Sequence, residues 1–172
     1  VDRQRDDLVL GFAAAVHLTD ARASLTKGAR TLGLTLLSWL TPIMAVIVAG
    51  FLLALPFTGL KPLWDTKSAA AVLLAASAVL IVLINAAYQD GAREQGAHVV
   101  LRWSVRLAAL ALTPLTLIAG YAIWLRVGQY GLTPERVMAA TLALLSACYA
   151  VGYGIAAVLP GAWMKPLERT NI

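Results

Sequence analysis

Four stretches of this chain contain no Asp, Glu, Lys, Arg or His: 31–60, 68–89, 107–125 and 137–164. Each is near or above the roughly 20 residues that an α-helix needs to cross a hydrocarbon core about 30 Å thick. Together they make up more than half of the chain. A soluble domain of this size is mostly surface, and that surface needs polar side chains. Charged residues are 13% of the 172, against the quarter or so usual in soluble domains. The mean hydropathy of +0.76 points the same way. The expected fold is therefore all-α: a transmembrane helical bundle of four spans.

The net charge of +5 and the pI of about 9.7 do not point to nucleic acid. No run of Lys and Arg alternates with aromatics, and no zinc-finger spacing occurs. The positive residues lie beside the apolar runs instead, where they orient spans. Arg3, Arg5, Arg22, Lys27 and Arg30 precede the first run. Arg93, Arg102 and Arg106 lie between the second and third, and Lys165 and Arg169 follow the fourth. That side holds ten Lys and Arg residues; Lys61, Lys67, Arg126 and Arg136 on the other side make four. Positive charge accumulates on the cytoplasmic side. Both ends of the segment and the middle loop are therefore expected in the cytoplasm, and the two short links outside.

The spans are expected at about 32–57, 69–88, 107–124 and 134–159, with 166–172 a polar tail. Pro42 and Pro114 are candidate kinks, and Pro56 with Thr58-Gly59 ends the first span. The short link Lys61–Lys67 makes spans one and two an antiparallel hairpin, and Gln129–Val137 does the same for spans three and four. Residues 1–30 read as an amphipathic, interfacial lead, with Leu8, Phe12 and Val16 on one helical face. The chain begins at Val1 without a signal-peptide pattern, so it is expected to be part of a longer protein.

In lipid, helices associate by packing, and small residues allow close approach. Ala71, Ala75 and Ala78 place such a face on the second span. Ala150 with Gly154, and Gly152 with Ala156, place another on the fourth. Cys148, the only cysteine, reads as a packing residue.

The stretch QYGLTPERV, 129–137, is wedged between two apolar runs and carries a tyrosine, a glycine, a Thr-Pro pair and a Glu-Arg pair within nine residues. Much of it is explained as a turn and a helix start. Thr133 is placed to cap with its hydroxyl, Pro134 suits the first helical position, and Glu135 suits the positive end of the helix dipole. Capping leaves Arg126, Gln129, Tyr130 and Arg136 unexplained. With Glu135 they form a candidate site for a partner or an anionic lipid. A second candidate cluster is Asn85, Tyr88 and Asp90 at the end of span two. The bland account of Asn85 is a hydrogen bond between helices. His17, Asp20 and His98 lack the spacing of a metal site. No serine elbow, phosphate loop, dinucleotide fingerprint or metalloprotease motif is present, so no catalytic residue, cofactor or metal is expected. No charged residue lies deep in the four runs, where ion and proton transporters place them.

The run WLRVGQYGLTPERV resembles a characteristic stretch of bacterial multi-pass inner-membrane proteins grouped as domain of unknown function 4153. Arg126, Gln129 to Pro134 and Arg136 carry the likeness, and INAAYQDG, 84–91, adds to it less specifically. Val137 departs from the pattern, because an aromatic often follows the arginine there. The resemblance extends over nearly the whole chain. It implies a bacterial inner-membrane location and additional spans outside this segment, but no established activity and no catalytic residues. The leading expectation is a non-enzymatic scaffold or accessory subunit that contacts membrane lipids and other transmembrane helices. The alternatives are part of a transporter or channel, or an enzyme modifying lipid or envelope material around Arg126, Tyr130, Glu135 and Arg136.

Overall fold

The computed structural model describes the backbone of residues 2–88 and 99–158, and the side chains from residue 26 onward within those ranges. All described regular structure is helical. The elements are α1 (Asp2–Thr58), α2 (Lys61–Asp65), α3 (Ala69–Tyr88), α4 (Val99–Tyr130) and α5 (Pro134–Val158). Among the described residues four helices are long and apolar enough to cross a membrane: Thr26–Thr58 within α1, and the whole of α3, α4 and α5.

Two compact units divide the chain, 1–36 and 37–172. In the first, α1 is helical from Asp2 onward. The hydroxyls of Thr31 and Thr35 donate to carbonyls one turn back, Lys27 O at 2.9 Å and Thr31 O at 2.7 Å. Such back-bonding satisfies a hydroxyl within its own helix.

In the second unit α4 is the central helix. It packs against both α3 and α5, and α3 also meets α5. Leu101, Val105, Ala108, Leu112, Leu115, Ala119 and Ala122 are buried along it at spacings of three and four, as one helical face requires. Leu80, Leu83 and Ile84 of α3, Ala150 and Tyr153 of α5, and Ala45 and Val48 of α1 are buried as well. The hydroxyl of Thr41 on α1 donates to the Leu83 carbonyl of α3 at 3.3 Å.

The outside of this unit is apolar. Leu53 is 71% exposed, Leu117 68% and Leu144 68%. In water such a surface would drive aggregation; against lipid tails it is at rest. Cys148 lies on this surface, exposed, rather than in a helix interface.

The helix ends repay comparison with the expected spans. α3 runs Ala69–Tyr88, and α5 starts at Pro134. α4 is longer at both ends than 107–124, because the basic and polar flanks continue the helix. The uncharged stretch between Arg106 and Arg126 is about 30 Å along the axis, the thickness of a hydrocarbon core. Pro56 lies inside α1, and the helix ends two residues later at Thr58. Gly59 follows at φ +67°, and its N–H donates to the Leu55 carbonyl at 2.8 Å. This left-handed glycine, rather than the proline, terminates the helix. The link 61–67 contains a short helix of its own, with Pro62 in its first turn.

Candidate functional site

The polar residues singled out at the end of α4 gather around one cleft. It has a volume of about 610 Å³ and is lined by Trp64, Lys67, Ala122, Leu125, Arg126, Gln129, Tyr130 and Arg136. Four elements build it: α2, the α2–α3 link, the last turns of α4 and the first turn of α5.

The turn between α4 and α5 is held from both sides. Gly131 stands at φ +74°, a left-handed conformation that costs a residue with a Cβ about 1–2 kcal/mol. Its N–H donates to the Val127 carbonyl at 2.9 Å and closes α4. Arg136, one turn into α5, reaches back across the turn. Its Nη1 donates to the carbonyls of Gly131 at 2.7 Å and Tyr130 at 3.1 Å. These are acceptors that the end of a helix leaves without intrahelical partners. The same guanidinium lies 5.4 Å from the centre of the Tyr130 ring, within cation–π range.

At the start of α5 the expected cap is made differently. The backbone carbonyl of Thr133 accepts from the N–H of Arg136 and of Val137, both at 3.0 Å. Among the described residues, the Thr133 hydroxyl receives no backbone N–H. Arg136 serves the turn as a cap for α4 and not as the ion-pair partner of Glu135 that adjacent opposite charges suggest.

The other wall comes from the link. Lys67 stands at φ +57°, left-handed without being glycine. Arg126 donates from Nη2 to its carbonyl. Trp64 of α2 lies 6.1 Å from Tyr121 of α4, and Tyr121 lies 6.3 Å from Trp124. The two links expected on one side of the membrane thus meet at one end of the unit. Trp64, Lys67 and Leu125 were not among the candidate residues. Only the tertiary contact between link and helix brings Trp64 and Lys67 to Arg126.

Glu135 goes elsewhere. It lines a separate groove with Ala71, Leu74, Ala75, Ala78, Met138, Ala139, Leu142 and Ser146, between α3 and α5. The arrangement therefore brings Arg126, Gln129, Tyr130 and Arg136 together and leaves Glu135 out.

Asn85 of the second cluster makes an interhelical contact. Asn85 Nδ2 donates to the Tyr153 hydroxyl at 2.8 Å and to the Ile81 carbonyl at 3.0 Å. Tyr153 is fully buried, and its ring meets Tyr149 edge-on at 5.5 Å. Tyr88 is buried on the same helix. Asp90 lies outside the described residues, as do His98 and the side chains of His17 and Asp20.

Four helices of membrane-spanning length, an apolar outer surface and a basic, aromatic-rimmed end define a multi-pass membrane protein. The chain belongs to the family described as Domain of unknown function (DUF4153), which matches residues 8–166. Comparison with curated proteins and with solved structures returns no match.

Proposed function

We propose that this protein is a non-enzymatic membrane module, a scaffold or accessory subunit, that packs against further transmembrane helices. The observation that carries this reading is the bare alanine face of α3. Ala71, Ala75 and Ala78 are exposed, and they form the floor of a groove of about 460 Å³ between α3 and α5. The small face of α5 is already used inside the unit, where Gly154 approaches Thr113 of α4. The α3 face has the same composition without such a neighbour in the described structure. A helix crossing there would pack backbone-close, which lipid chains do less well. In this reading α1 with α3, and α4 with α5, are antiparallel hairpins in a bacterial inner membrane. Both ends of the segment are cytoplasmic.

Two other readings are weaker. Besides the tyrosines Tyr88 and Tyr153, the buried polar side chains among the described residues are the hydroxyls of Ser38, Thr41, Ser77, Thr116 and Ser146. Several donate to helix carbonyls and form no ionisable path of the kind a transporter uses. An enzyme at the outer face would need a carboxylate beside its arginines, and Glu135 opens on the other groove.

The test is gentle extraction of the full-length protein from its native membrane, with mass spectrometry of what stays bound. A stoichiometric membrane-protein partner is expected, lost when Ala75→Leu and Ala78→Leu fill the groove while the fold is kept. A well-folded sample with no partner, or one whose partner is indifferent to these substitutions, defeats the reading.

A further inference from the structure

We propose that the cleft between the α2–α3 link, α4 and α5 binds the phosphate group of an anionic lipid. Lys67, Arg126 and Arg136 all line it, and no carboxylate does. Among the described residues none of the three forms an ion pair. Both guanidiniums are instead held by backbone carbonyls, Arg126 by that of Lys67 and Arg136 by those of Tyr130 and Gly131. A carbonyl fixes the position of a guanidinium without cancelling its charge. Each guanidinium has five N–H donors, and these bonds leave most of them for a ligand.

Three like charges held around one cleft repel each other, more so where lipid excludes water. An anion placed among them removes that repulsion. Phosphate suits the geometry, because its oxygens match the planar fork of arginine and accept from lysine as well. The cleft volume of about 610 Å³ is that of a small-molecule site.

Position points to a lipid rather than to free phosphate. The cleft begins where the uncharged stretch of α4 ends, at the depth of the headgroups. Trp64 lies in its wall, close to Tyr121 and Trp124, as in the aromatic belt of membrane proteins. Ala122 and Leu125 form an apolar wall that continues along α4 toward the hydrocarbon. An amphiphile fits both halves, with phosphate at the cations and an acyl chain along the helix. This inference stands on the cleft alone and does not depend on the groove beside α3.

The experiment uses the full-length protein in nanodiscs of phosphatidylcholine, alone or mixed with phosphatidylglycerol. Lipid retained after transfer to mild detergent is counted by mass spectrometry. The wild type is expected to enrich phosphatidylglycerol over phosphatidylcholine. Lys67→Gln should lower that enrichment about fivefold, the effect of one cation near anionic lipid. Lys67→Arg should keep it. Lys61→Gln removes the same charge from the same link outside the cleft and should leave the enrichment unchanged. Arg126→Gln is the second variant should Lys67→Gln unfold, with thermal unfolding as the control for both. Equal losses in Lys61→Gln and Lys67→Gln would reduce the effect to general surface attraction and overturn the proposal. Displacement of the lipid by millimolar inorganic phosphate would assign the cleft to free phosphate and overturn the lipid source.

Discussion

The side-chain amide of Asn85 donates to the hydroxyl of Tyr153 at 2.8 Å, joining α3 to α5 across 68 positions of sequence. Tyr153 is fully buried, so its hydroxyl depends on partners inside the protein. Interhelical hydrogen bonds in membranes contribute about 0.6 kcal/mol on average and up to about 1.7. Tyr153→Phe, which keeps the ring and its contact with Tyr149, should cost about 1 kcal/mol in reversible unfolding in detergent. A double-mutant cycle with Asn85→Ala should give a coupling of about 0.5–1.5 kcal/mol. Additive losses would mean that the bond carries no stability.

Arg136→Ala tests the turn. An exposed ion pair with the adjacent Glu135 would contribute little, and its loss would barely register. The arginine's bonds to the Tyr130 and Gly131 carbonyls change that expectation. The substitution should destabilise by about 1–2 kcal/mol and speed amide exchange at Gly131, whose N–H closes α4. Glu135→Ala should leave exchange at Gly131 as it is.

Two glycines of α4 and its turn should respond with opposite signs. Gly131→Ala places a Cβ at φ +74° and should cost about 1–2 kcal/mol. Gly128 lies within the helix with open space around its Cβ position, so Gly128→Ala should stabilise by about 0.5–1 kcal/mol. Thermal unfolding of the two variants side by side gives the comparison. A neutral Gly131→Ala would mean that the left-handed turn is not the native one.

The α4–α5 contact sets a size limit at Gly154. An added Cβ would meet Thr113 Oγ1 at 3.5 Å, an ordinary contact. Gly154→Ala should therefore lie within about 0.5 kcal/mol of wild type. Gly154→Leu should push the helices apart, lose the 3.4 Å bond from the Thr113 hydroxyl to the Ala150 carbonyl and cost about 1–3 kcal/mol. Equal stability of the alanine and leucine variants would refute close packing there.

The sequence by itself determined that four helices among the described residues are long and apolar enough to cross a membrane, and the proline at which α5 begins. That information is local: the length of an uncharged run and a proline at a first helical position. It also determined the basic character of the α4–α5 turn, because Arg126, Gln129, Tyr130 and Arg136 are close in sequence. Only the tertiary structure decided which charges work together. Arg126 meets Lys67 from 59 positions earlier, and Trp64 reaches Tyr121, while Glu135, next to Arg136 in sequence, opens on a different groove. Adjacent helical residues project about 100° apart, so proximity in sequence does not place two side chains in one cleft. The same limit applies to the alanines of α3 and the small residues of α5. Both stripes have the composition for close packing, but periodicity says only that a face is small. Which face meets a neighbour depends on how the helices rotate about their axes, and that is fixed by long-range contacts such as Asn85 with Tyr153 and Thr113 with Ala150.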